Sequence, residues 1–337
     1  MRGTGAARNA KADVNYGARA DSMPLSPTDK RWLIEQFGRH VRFDEPMTRH
    51  TYFRVGGPAE AFVTPPDTAG LEKLMRWCRS GRQPWMVIGG GSNLLVKDGG
   101  IDGVVISLSR CLKDIQTEEG GSGIRLTAQA GVKLPSLCRY SIERGFAGLN
   151  FALGIPATVG GAIAMNAGTV RGSMADVLTS VGCLQADGRW VHLDRRELDF
   201  SYRSLSWKRK GPNGDGEAAI IVDGSFSLKP GDAKILADEA EEILKVRTAQ
   251  QPLDQPSAGC FFKNPAPDRS AGELIEKAGL KGRQIGGARV STRHANFIVN
   301  GGGATACDIL ALMALVQKRV TDKFEVELVP EVKIVGH

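Results

Sequence analysis

Trp85-Met86-Val87-Ile88-Gly89-Gly90-Gly91-Ser92-Asn93-Leu94-Leu95-Val96 reads as a strand, a glycine loop and a second strand. The apolar run before the glycines suits a short buried strand, and Leu94-Leu95-Val96 suits another. Successive glycines can point several backbone N–H groups at one anion, and Ser92 and Asn93 add side-chain donors, so the loop could cradle a diphosphate. A Gly-x-Gly-x-x-Gly turn would open a helix instead; the strand after Asn93 argues against that dinucleotide fingerprint. Taken alone, a triple glycine is a weak signal and more often a flexible loop.

A second glycine cluster lies downstream, Gly154-Ile155-Pro156-Ala157-Thr158-Val159-Gly160-Gly161-Ala162-Ile163-Ala164-Met165-Asn166-Ala167-Gly168. From Thr158 to Asn166 it can open a helix whose free N–H groups and partial positive charge suit a phosphate or a polar ring edge. The alternative is a Gly/Ala-rich helix that needs small residues for close packing. Around the two clusters the pattern alternates. A helix is predicted over 68–80 with Leu71, Leu74, Met75 and Cys78 inward, strands over 104–108 and 124–128, and a helix over 133–144, an α+β arrangement. Further elements are a helix from Pro27 with Trp32, Leu33, Ile34, Phe37 and Val41 apolar, and strands within 51–64 around an Arg54-to-Pro58 turn containing Gly56. A hairpin over 181–193 turns at Asp187-Gly188, and a strand over 219–228 precedes an amphipathic helix over 232–250 whose charged face reads as solvated. Gln250 to Pro256 breaks both patterns and marks a domain boundary.

Beyond that boundary, Ser257-Ala258-Gly259-Cys260-Phe261-Phe262-Lys263-Asn264-Pro265 sets a thiol in a tight turn, with two rings to bury and two donors for an anionic partner. A buried structural cysteine in an ordinary strand is the plainer reading. Tyr202-Arg203-Ser204 holds a guanidinium able to grip a carboxylate and steady an enolate; an arginine on a surface strand is its bland alternative. Helices over 271–278 and 305–324 and a last strand carrying Pro330-Glu331-Val332 complete the chain. His294 reads as structural.

The 337 residues, 42% hydrophobic and 24% charged, suit a globular chain of two or three cores. No run approaches the length of a transmembrane helix, and no secretory leader opens the chain, which predicts a cytoplasmic protein. Six scattered cysteines form no metal-ligand spacing, so no metal is expected. The net charge of +7 is not clustered with stacking aromatics, which argues against nucleic acid and fits diphosphate ligands. Residues 1–25 have no apolar periodicity and predict a disordered basic tail; a transit peptide, or an extension upstream of a true start at Met23, would look the same.

Five motifs in one order, the two glycine clusters, Tyr202-Arg203-Ser204, the Cys260 stretch and Pro330-Glu331-Val332, resemble the UDP-N-acetylenolpyruvoylglucosamine reductases of bacterial cell-wall synthesis, from about Asp44 to Val335. The resemblance implies an α+β fold. Residues 26–248 would be an FAD-binding domain of the PCMH/vanillyl-alcohol-oxidase type in two α+β subdomains, and 249–337 a C-terminal α+β substrate-binding domain. Non-covalent FAD would be held by Gly56, Gly89, Gly90, Gly91, Ser92, Asn93, Leu94, Gly154, Ile155, Pro156, Thr158, Gly160, Gly161, Ala162, Asn166, Ala167 and Gly168. The implied reaction is NADPH-dependent reduction of UDP-N-acetylglucosamine enolpyruvate to UDP-N-acetylmuramate, in peptidoglycan precursor synthesis, by a monomer.

In that reaction Cys260 would protonate the substrate, Arg203 would bind its carboxylate, and Glu331 would polarise or help protonate the enol. Tyr202, Lys263 and Asn264, with Lys281 as a further option, would hold the UDP-sugar. The chain departs from the family twice, with Ala157 for the usual glycine and Cys260 for the usual serine. An ordinary thiol near 8.5 would give activity an alkaline limb. The four tyrosines, none in the middle insertion, imply the type without a closing tyrosine loop. An FAD-dependent sugar or alcohol oxidase of the same fold, or a non-catalytic nucleotide-sugar binding protein, are the competing readings; His50 lies too far before Gly89 for a covalent flavin link.

Overall fold

A computed structural model describes residues 16–17, 24–120, 123–207 and 219–337. Residues 1–15 and 18–23 of the expected tail lie outside the described residues. The rest of that tail is ordered: Tyr16–Gly17 pairs antiparallel with Trp85 and Met86, and Leu25 is buried, its N–H donating to Glu60.

The first sheet runs Tyr16–Gly17, Trp85–Ile88, Ile101–Ser107, Pro58–Val63, Val41–Pro46 in spatial order. Its three inner strands are parallel and almost wholly buried, as parallel strands must be. Helix Thr68–Ser80 makes the crossover from Pro58–Val63 to Trp85–Ile88 and buries the four residues its spacing predicts. Its Trp77 stacks on Trp32 of the capped helix Pro27–Phe37, with ring centroids 4.7 Å apart. Val41–Pro46 is a strand that the apolar pattern does not announce, because only Val41, Glu45 and part of Phe43 turn inward.

The second sheet is antiparallel, ordered Trp190–Asp194, Leu178–Gln185, Ala219–Pro230, Gly123–Gln129, Ile115–Gly120, with Phe146–Ala147 on the far end of the long strand. The hairpin predicted over 181–193 is present and longer. Helix Ala233–Gln250 is capped by Asp232. It buries only Leu236, Ala240 and Ile243, while Ile235, Leu244 and Val246 of the expected inward face are exposed.

The C-terminal sheet runs Ser257–Cys260, Phe297–Asn300, Ala288–Val290, Gln284–Ile285 and packs beneath helices Ala271–Lys277 and Ala306–Phe324. Phe53, Val55 and Leu95 reach into its core, Phe53 lying edge-on to Phe261. The last strand, Lys333–Val335, returns to pair in parallel with Leu94–Val96. The two halves are further joined at Asp98, whose carboxylate accepts from the N–H groups of Ala306 and Cys307, while Thr305 caps that of Asp308. First-turn donors of the long helix are thus satisfied from across the chain. Asp98→Ala is expected to lower stability by about 1 kcal/mol, read from the urea midpoint.

Candidate active site

The two glycine clusters meet. A Cβ on Gly89 would lie 2.5 Å from Thr158 Oγ1, and one on Gly90 3.0 Å from the Pro156 carbonyl oxygen. Thr158 caps the short helix Val159–Ala164, and a narrow cleft beside it is lined by Val87, Gly89, Ser107, Ser109, Gly131, Thr158, Gly160 and Gly161, with Ile88, Leu108, Ala130 and Ile221. Backbone donors, hydroxyls and apolar walls together fit a phosphate-bearing cofactor. A methyl group on Gly161 would meet nothing but Thr158 Oγ1, at 3.4 Å, and otherwise project into open space.

Gly161→Ala is therefore expected to act with opposite signs. The apoprotein gains up to about 1 kcal/mol from helix propensity, while FAD affinity falls at least about tenfold, roughly 1.4 kcal/mol. Thermal unfolding of apoprotein and a flavin fluorescence titration read the two effects separately.

Of the other residues expected at the cofactor, several spend their polar groups on the protein. Gly91 accepts from Tyr52 N–H and lies too close to His50 for any side chain. Gly56 backs onto Val96, and Leu94 is a buried strand residue. Ala162 and Ala167 face the core, as partly does Ile155, whereas Ser92 is partly exposed and Pro156 exposed. Asn93 Nδ2 donates to the Glu331 carbonyl. Asn166, buried with φ +40°, donates to the Ser201 carbonyl and accepts from Ala175 N–H. Gly154 and Gly168 accept from Arg247 and Arg203.

These bonds form a frame around a second group of residues. Leu198–Ser201 and Ser204–Trp207 make a hairpin with Tyr202 and Arg203 at its tip, not a surface strand. Arg203 is held at φ +58°, a backbone conformation that costs a non-glycine residue on the order of 1 kcal/mol. Its Nε donates to Glu331 Oε1 at 2.8 Å and its Nη2 to Gly168 O at 2.8 Å; Nη1 has no partner among the described residues. Burial pushes the Glu331 carboxyl above its ordinary range, against the pull of Arg203 and Lys263.

Cys260 ends its strand at a bulge, where Ser257 and Cys260 pair with Val299 and Phe297 and Gly259 adopts φ +78°. A bulge re-aims the side chain it carries. Cys260 lies within electrostatic reach of Glu331, Arg203 and Arg247. Burial, and then the Glu331 charge, push its thiol up to about 12. An alkaline limb near 8.5 is therefore not expected of this thiol. Behind it, the buried Asn296 pairs both backbone groups of Phe262 with its side-chain amide.

Tyr202 stands beside Arg203, with the guanidinium carbon 4.9 Å from its ring centroid, and the backbone of Asn264 acts on its hydroxyl. Lys263 is near Glu331, whereas Lys281 is paired with Glu276 Oε1 at 2.6 Å. His294 is half-buried and held below its ordinary range by burial; its Nδ1 accepts from Asn296 N–H, which suits its structural reading. His50 bonds Glu45. Arg247, absent from the sequence reading, joins the site from the end of helix Ala233–Gln250.

Residues 59–194 match an FAD-binding domain model, and residues 251–335 match the C-terminal domain model of UDP-N-acetylenolpyruvoylglucosamine reductase. Fold and site therefore define an α+β flavin oxidoreductase with a dedicated C-terminal domain. Curated reductases of that name from Desulfosudis oleivorans and Heliobacterium modesticaldum are 48% and 47% identical, over 91% and 87% of this chain and 98% and 90% of their own. A crystal structure of the Thermus caldophilus reductase superposes with a TM-score of 0.70 at 36% identity, covering 88% of this chain and 98% of that one. The chain belongs to the UDP-N-acetylenolpyruvoylglucosamine reductase family. Among the described residues, no helix is long and apolar enough to cross a membrane.

Proposed function

We propose that the protein reduces the enolpyruvyl ether of UDP-N-acetylglucosamine to the lactyl ether, UDP-N-acetylmuramate, with NADPH as reductant, in the cytoplasm and as a monomer. The observation that carries this reading is the meeting of Cys260, Arg203 and Glu331, drawn from a bulged strand, a hairpin tip and the C-terminal segment. Bound FAD would be held in the Gly89–Thr158 cleft and would carry hydride from NADPH to the vinyl carbon remote from the carboxylate.

Arg203 would receive the substrate carboxylate on Nη1, since its other contacts are with Glu331 and Gly168. As electron density moves onto the carbon next to the carboxylate, the guanidinium would spread the enolate charge. Cys260 would give its proton to that carbon, which completes the saturated ether; a thiol still protonated throughout the neutral range suits an acid. Glu331 would fix Arg203 and help return the proton. Tyr202, Lys263 and Asn264 would hold the UDP-sugar, without a closing tyrosine loop.

Anaerobic spectroscopy tests the reading. NADPH should bleach a flavin band, and the enolpyruvyl ether should restore it. A protein that takes up no FAD is not a reductase, and a flavin reoxidised by oxygen alone favours an oxidase.

A further inference from the structure

The hairpin that carries Arg203 has a tip its own sequence does not favour. Ser201 and Ser204 close the ladder, which leaves Tyr202 and Arg203 as a two-residue loop. Such loops favour turns whose first residue is left-handed. Here the first residue, Tyr202, is not left-handed, whereas the second, Arg203, is, at φ +58°. A turn of that pattern calls for glycine or asparagine where the arginine stands. Backbone strain of this kind persists only where the surroundings impose it.

The imposing group comes from the second glycine cluster. Asn166 Nδ2 donates to the Ser201 carbonyl at 3.0 Å, and its Oδ1 accepts from the Ala175 N–H at 3.0 Å, so the amide is fixed at both ends. Two residues on, the Gly168 carbonyl accepts from Arg203 Nη2 at 2.8 Å. Residues 166–168 thus grip both the entry to the turn and the guanidinium beyond it. Asn166 is 7% exposed, and its amide is spent within the protein. A helix end explains only part of this residue. Asn166 lies just past helix Val159–Ala164 at φ +40°, a place where glycine serves as well. The reach of its side chain to Ser201 is not needed to end a helix.

We propose that Asn166 is a positioning residue for the reaction, its amide holding the Ser201–Arg203 turn in the strained form that aims the Arg203 guanidinium at the substrate carboxylate. The assignment rests on the reductase reading above. It adds a buried group that acts through Arg203 alone.

The test compares wild type, Asn166→Gly and Asn166→Asp, each with FAD bound and each repeated in an Arg203→Ala background, by single-turnover reoxidation of the reduced enzyme with the enolpyruvyl ether. Asn166→Gly keeps the left-handed backbone and removes the amide, whereas Asn166→Asp keeps the acceptor for Ala175 and removes the donor. Each is expected to slow reoxidation at least about tenfold, the order of one lost buried hydrogen bond. In the Arg203→Ala background the same changes should cost less than about threefold. Equal losses in both backgrounds would make Asn166 a structural residue and overturn the proposal. Undiminished reoxidation in Asn166→Asp would overturn it as well, because the bond to Ser201 would then be idle. A loss confined to FAD affinity would return Asn166 to the cofactor, again against the proposal. Where Asn166→Gly does not fold, Asn166→Asp decides, and failure of both to fold with FAD would make Asn166 a residue of the fold alone. A wild type that the enolpyruvyl ether does not reoxidise sinks the reductase reading itself, an outcome distinct from equal losses in a working enzyme.

Discussion

Arg203→Ala is expected to slow reoxidation of the reduced enzyme by the enolpyruvyl ether about a thousandfold, near 4 kcal/mol of transition-state stabilisation, while leaving flavin reduction by NADPH within a few fold. The reason lies in the geometry of the hairpin tip. Arg203 is fixed through Glu331 and Gly168, so its remaining nitrogen is pre-aimed and little freedom is lost on binding. Arg203→Lys keeps the charge but cannot reach two acceptors while offering a third donor, and should recover only a small part of the loss. Removing the guanidinium also leaves burial opposed only by Lys263 at Glu331, so its carboxyl moves further up and takes a proton at higher pH. The damage in Arg203→Ala thus includes a changed Glu331. A cycle with Glu331→Gln separates the parts: the double variant should lose less than the two single losses combined. Full additivity in single-turnover kinetics would mean that the 2.8 Å ion pair is incidental to the reaction.

Legibility from sequence varied with the range of the interaction. Trp85–Ile88, Leu94–Val96 and helix Thr68–Ser80 fall where the local pattern puts them, because burial on one face and a cap at Asp67 are short-range facts. Ile115–Gly120 is a strand made almost wholly of polar, exposed residues, supported by its neighbour Gly123–Gln129 rather than by its own composition. The candidate site divides in the same way. Glycines that touch only backbone are visible as glycines, but which of them face a ligand depends on a partner far away in sequence. Gly89 meets Thr158, whereas Gly91 meets His50. Asn93 and Asn166 look like ligand donors and instead hold Glu331 and the Arg203 hairpin. Arg247 was invisible because a cation in a last helical turn already has a sufficient reason in the helix dipole; only its missing partner and its neighbour Gly154 distinguish it.

Cys260→Ala is expected to remove the proposed proton donor and slow the substrate half-reaction by about a hundred- to ten-thousandfold, whereas Cys260→Ser should stay within about tenfold if a hydroxyl can be driven by the same Glu331 and Arg203 charges. The pH dependence separates this acid from an ordinary cysteine. Burial and the Glu331 charge raise the thiol to about 12, so it keeps its proton throughout the range in which a free thiol near 8.5 would have lost it. Wild type and Cys260→Ser should therefore have superimposable alkaline profiles up to about pH 10, and iodoacetamide should be slow with the native enzyme at pH 8 because the thiolate is the nucleophile. Stability has the same sign. A thiol whose native value is raised contributes stability that is intact below the unfolded value and is lost as pH rises from there towards the native one. The fold thus accepts the Cys260 thiol better than its thiolate, and the wild-type urea midpoint should drop more steeply above about pH 9 than that of Cys260→Ser. An alkaline limb near 8.5 present in the wild type and absent from Cys260→Ser would show instead a solvated thiol, and would move the proton donor's acidity from its buried setting back to cysteine chemistry alone.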